Sequence, residues 1–133
     1  MRRFADRRGA TALEFAVSIL VVLTLAFATF DLAWLFATQH AMNYGVEKAV
    51  RYAVVNSASA TTATIKSQFV TAVTPVLGAT KAAAATVQVS FSPSEKVGGT
   101  VTVTASVAWT PMTPFDSLVA VTVNSSQTLT IQH

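Results

Sequence analysis

The 133-residue chain contains no cysteine, two histidines and six acidic residues, and charged residues make up 11% of it. Without cysteine there is no disulfide framework, no thiolate zinc ligand and no thiol nucleophile. His40 and His133 have no third ligand near them in sequence, so no metal site is expected. Beyond residue 55 the acids are Glu95 and Asp116, both on predicted loops, which leaves little for paired-carboxylate chemistry. No glycine-rich phosphate loop follows a strand, and Gly98-Gly99 is a turn signal. The chain is therefore expected to be neither an enzyme nor the holder of a cofactor.

Positive charge is also missing wherever it could form a binding face. The formal net charge is +3, and all of it sits in residues 1–9, where Arg2, Arg3, Arg7 and Arg8 outweigh Asp6. Beyond Gly9 the cations and acids balance, so a nucleic-acid partner is not expected.

What is present is apolar: 52% of the residues are hydrophobic. Residues 15–30 carry no charge, Asp31 interrupts the run, and apolar residues resume to Ala37. As a helix, residues 15–37 span about 35 Å, enough for a bilayer core of about 30 Å. Arginines on the N-terminal side place that end in the cytoplasm and export the rest. A secretory signal cleaved at Ala26-Phe27-Ala28 is the competing explanation, but the apolar and helical pattern continues past that site.

Residues 38–55 continue the helix above the membrane. Ala41, Gly45, Ala49 and Ala53 recur every four residues as a stripe of small side chains. Such a stripe admits another helix at close range, either in a membrane or within the chain's own small domain. Glu47 and Arg51 are spaced for an i,i+4 pair. Residues 56–64 form a break, and 79–85 a linker or helix fray. Ile65, Phe69, Val73 and Leu77 predict an amphipathic helix ending near Gly78, its last turn distorted by Pro75. The period then changes to two. Val87, Val89 and Phe91 form one strand, and Val101 to Trp109 a second, joined by a hairpin loop at 93–99. Thr110-Pro111-Met112-Thr113-Pro114 marks a crossing, and residues 118–132 supply a third strand broken near Asn124.

The expected architecture is α+β. A basic leader (1–9) precedes a membrane-spanning helix (10–37), its extramembrane continuation (38–55) and an exported head (56–133). In the head a helix packs on a three- to four-stranded antiparallel sheet. A head this small, with no staples, is expected to lean on the long helix or on neighbouring subunits.

Glu14 and Asp31 lie about 25 Å apart along the helix. An acid at the bilayer centre costs about 2.5–3.5 kcal/mol on insertion scales, so Glu14 calls for a partner. The segment Arg8-Gly9-Ala10-Thr11-Ala12-Leu13-Glu14-Phe15 resembles the processing site of type IV prepilins and pseudopilins. The chain also resembles the TadE-like family of the Tad (Flp) pilus system. That likeness extends to Phe30-Asp31, to residues 39–54 with Arg51-Tyr52-Ala53, and to the Thr-Pro-Met-Thr-Pro turn. Leu32-Ala33-Trp34 stand where many members carry Gly and Arg, and Trp34 is expected at the headgroup level instead.

The resemblance implies a pseudopilin or minor pilin of the bacterial inner membrane, associated with an adhesive pilus after processing. A prepilin peptidase would cut after Gly9, making Ala10 the first residue and Glu14 the fifth. Glu14 would then neutralise the freed amine of an adjacent subunit and set axial register. Asp31, Ala41, Gly45, Ala49 and Ala53 are candidate packing or interface residues. The implied partners are the lipid bilayer, the peptidase, other pilin or pseudopilin subunits and the pilus assembly machinery. The alternative is a single-pass membrane-tethered binding module that never enters a filament.

Overall fold

A computed structural model of the chain describes residues 3–93, 97–112 and 121–132, with the backbone alone for residues 3–8. Glu95, Asp116, His133 and the second proline of the predicted crossing lie outside the described residues.

One helix, α1 (Arg3–Val55), runs through 53 residues, about 80 Å at 1.5 Å per residue. No proline interrupts it and its two glycines, Gly9 and Gly45, stand far apart, so its hydrogen-bond ladder continues. Within it, Ala41, Met42, Val46, Ala49, Val50 and Ala53 are buried. That i, i+1, i+4, i+5 spacing draws one stripe along a helix, and it starts only in the upper half.

Thr61 opens α2 (Thr62–Leu77) with a reciprocal cap: Thr64 N–H donates to Thr61 Oγ1 at 3.2 Å, and Thr61 N–H to Thr64 Oγ1 at 3.0 Å. Ile65, Phe69, Val73 and Leu77 are its buried stripe. Pro75 does not end the helix, which continues two residues further. Gly78, at φ 79°, turns the chain into a short helix, α3 (Ala79–Ala84), where the sequence suggested linker or fray. That left-handed conformation is one a side chain disfavours.

Three strands follow among the described residues: β1 (Thr86–Ser92), β2 (Thr100–Trp109) and β3 (Val121–Thr130). They form one antiparallel sheet in the order β1-β2-β3. β3 is continuous through Asn124, where a break was expected. Val101, Val103, Ala105, Val107 and Trp109 of β2 face the core. The upper half of α1 lies on β2 and β3, while α2 packs beside α1 and reaches β1. The fold is thus a long apolar helix whose far end joins a small α+β head, as the alternation of periods predicts. The head depends on α1, which supplies six of the eighteen buried residues of its core cluster.

Candidate functional site

Among the described residues, no other element packs on the lower part of α1. The stretch from Gly9 contains an 18-residue window of mean hydropathy 2.2, none of it buried. Leu13, Phe15, Leu25 and Phe30 are each about two-thirds exposed. A soluble monomer rarely presents a contiguous apolar surface of this extent, and a core helix would be covered. The helix is long and apolar enough to cross a membrane, which is consistent with membrane anchoring. Two of its hydroxyls bond the helix backbone, an arrangement that suits lipid. Thr24 Oγ1 donates to Leu20 O at 2.8 Å, and Thr29 Oγ1 to Leu25 O at 2.9 Å.

Glu14 stands in this surface. Its side chain is exposed, and the one ion pair among the described residues is elsewhere, between Arg51 and Glu47 at 2.6 Å. Gly9 and Ala10, one turn earlier, are also exposed, with nothing within 4 Å of a side chain built on Gly9. Any group that meets Glu14 comes either from outside the described residues or from another molecule.

Asp31 is placed differently. It is half-buried, and its Oδ1 accepts the backbone N–H of Met112 at 2.8 Å. The acid at the outer end of the apolar run therefore ties the segment after β2 to the helix. Trp34, expected at the headgroup level, is half-buried and packs against the head core, where it lines a void of about 10 Å³ with Thr38, Leu77, Lys81, Val107 and Trp109. The buried Thr38 hydroxyl donates to Trp34 O at 3.0 Å.

The small-residue stripe lies inside the protomer. Ala41, Ala49 and Ala53 are in the core, and a side chain on Gly45 would meet Val73 Cγ1 at 2.5 Å and Phe69 at 3.0 Å. Of the two packings the stripe allows, the structure contains the intramolecular one: α2 crosses α1 at Gly45. A polar clasp that sequence reasoning missed lies along the next flank. Ser125 Oγ donates to Asn43 Oδ1 at 2.8 Å, while Gln39 Nε2 reaches both Asn43 Oδ1 at 3.1 Å and Asn124 O at 3.2 Å. Two signals were available: Gln39 and Asn43 at i,i+4, and Ser125 at a core-facing position of the alternation Val121, Val123, Ser125.

The exposed apolar helix, its acid and the docked upper half are all parts of residues 9–51. That segment matches the family model of the TadE-like proteins. Over those residues the chain is similar to the TadE-like proteins. The match begins at the processing glycine of the resemblance and ends within α1, so the TadE-like part is the helix itself. No curated protein and no solved structure matches the chain.

Proposed function

We propose that the chain is a TadE-like pseudopilin or minor pilin that acts by assembly, without catalysis, in building Tad (Flp) pili for adhesion. The TadE-like match supports a role related to the Tad pilus. The observation that carries the finer reading is Glu14, alone and exposed in an uncovered apolar helix surface, five residues after Gly9. In this reading a prepilin peptidase cuts after Gly9 on the cytoplasmic face of the inner membrane. Ala10 then bears a free amine, and the Glu14 carboxylate of one subunit meets the Ala10 ammonium of the next. An ion pair in low dielectric recovers part of what burying each charge costs, and it is sensitive to axial position. Neighbouring subunits pack their apolar helices together, and the rigid continuity of α1 carries that register to the exported head.

The test is the N-terminal residue and intact mass of the protein from the membranes of its native cell, followed by Glu14→Ala. An N-terminus at Ala10 is expected, with Glu14→Ala inserting normally and failing to co-purify with pilus subunits. An intact leader, or a Glu14→Ala variant that assembles as well as the native chain, sinks the reading and favours a tethered binding module.

A further inference from the structure

Among the described residues no strand pairs with either outer edge of the head sheet. Natural sheets blunt their edges with charge, proline or a cover. β1 (TVQVSFS) and β3 (VTVNSSQTLT) contain no charged residue and no proline. Val87, Val89 and Phe91 on β1 remain half-buried, and Leu129 on β3 is 40% exposed. Beside β3 the protein opens into a groove of about 800 Å³ between Glu47, Arg51 and Val54 of α1 and the consecutive residues Gln127, Thr128 and Leu129. Consecutive residues line it because its wall is the strand edge itself.

The hydrogen-bond phase of that edge follows from its end. Ile131 N–H donates to Gly99 O at 2.8 Å and Ile131 O accepts Gly98 N–H at 2.9 Å, so Ile131 turns both groups toward the β2 side. Backbone direction alternates along a strand, so Asn124, Ser126, Thr128 and Thr130 turn theirs outward. Asn124 O is taken by Gln39 of α1. Thr128 lies farther along, in the groove wall. The same phase carried through β2 leaves Val87, Val89 and Phe91 with their backbone groups outward on β1.

We infer that a second copy of this chain fills the groove, its β1 adding in parallel to β3 of the first. The inference rests on the membrane-anchored assembly proposed above, since anchored copies all stand the same way up. β1 and β3 run in the same direction, both antiparallel to β2, so a neighbour displaced sideways in the membrane presents β1 parallel to β3. Ser90 and Thr128 both pair with Thr102 and therefore lie at one level. In a parallel ladder an outward residue on one strand bonds the two residues flanking its opposite number. Thr128 opposite Ser90 meets that rule, with Val89 and Phe91 as the flanking pair. The core-facing and hydroxyl-bearing faces of the two sheets stay continuous. Two β3 edges related by a twofold axis along the membrane normal set outward residue against outward residue at the same level and do not meet it. The contact is head-to-tail, so it extends from copy to copy.

The chain's lack of cysteine makes the test direct. Full-length chain carrying Ser90→Cys and Thr128→Cys is oxidised in native membranes, alongside each single variant and an Ala12→Cys control in the apolar span. Paired neighbours on adjacent strands fall within disulfide reach. The double variant is expected to give a ladder of dimers, trimers and higher species, while each head single gives none. Moving one partner out of register, with Gln88→Cys in place of Ser90→Cys, should slow cross-linking several-fold. Head singles that dimerise as fast as the double variant overturn the inference, because the edges then pair with themselves. Cross-links at Ala12→Cys with none in the head overturn it alone. Cross-links at neither place remove it together with the assembly reading. Thr130→Lys added to the double variant, at another exposed residue of the groove wall, should abolish the ladder while leaving the head resistant to protease.

Discussion

The two halves of α1 share one backbone and have opposite surroundings. Below Phe30 every described side chain is exposed and apolar residues occur on all sides of the helix. Above Trp34 the buried apolar residues lie along one stripe, and Gln39, Asn43, Glu47, Lys48 and Arg51 stand off it, although Phe36, Tyr44 and Val55 are exposed too. The lower half is written for a solvent that accepts a hydrocarbon surface in any direction, the upper half for a protein on one side and water on the other. Small residues matter only above, where α2 comes close enough for a methyl on Gly45 to collide with Val73. Substitutions that disturb one half and spare the other therefore test the division directly.

Removing a fully buried aromatic from the head should have the largest effect. Phe69→Ala leaves a cavity beside Gly45 and should cost about 3–5 kcal/mol. Limited proteolysis of membrane-inserted protein is expected to degrade the head quickly while the lower half of α1 stays in the bilayer. Loss of membrane association in this variant would show that the halves are not independent. The converse change is Leu20→Arg, in an exposed part of the apolar run. A cation at mid-span costs about 2.5–3.5 kcal/mol on insertion scales. Alkaline extraction should then release a large fraction of the protein, with the head still protease-resistant.

Sequence reading saw most of this division, because hydrophobic period carries it. Ile65, Phe69, Val73 and Leu77 fix α2, and the alternations at Val87 to Phe91 and Val101 to Trp109 fix β1 and β2, since each pattern buries one face and no other. It missed what depends on a partner distant in sequence. Asn124-Ser125-Ser126 resembles a turn because its residues favour local hydrogen bonds. In the fold Ser126 bonds Thr104 across the strands at 3.0 Å and Ser125 bonds Asn43, so the strand is not interrupted. Trp34 suits a membrane interface by composition, and its packing against the head core beside Val107 and Trp109 has no trace in the local pattern. Asp31 is visible in sequence as an anomalous acid. Its bond to Met112 spans a chain separation that no motif encodes.

The polar clasp sharpens the comparison at intermediate strength. Asn43→Ala leaves the buried Ser125 hydroxyl without its acceptor, while the Gln39 amide keeps Asn124 O. An unsatisfied buried group costs about 1–3 kcal/mol, and thermal unfolding of the head should register a loss in that range. Asn43→Ala combined with Ser125→Ala should recover part of it, because both partners of the bond are then gone. If the double variant is no more stable than the single one, the clasp contributes to packing shape rather than to hydrogen bonding.

The smallest effect is expected at the ion pair. Arg51 and Glu47 meet at 2.6 Å, but their side chains are 70% and 49% exposed. Exposed i,i+4 pairs contribute about 0.3–0.5 kcal/mol, and salt screens them. Arg51→Ala should therefore leave head unfolding almost unchanged at physiological ionic strength. The same residue lines the groove beside the free edge of β3, so its substitution separates folding from association. A variant that folds normally but cross-links more weakly through Ser90→Cys and Thr128→Cys would give the upper half of α1 a second task, shaping the entrance for a neighbour's strand. Unchanged cross-linking would restrict that task to the strand edge alone.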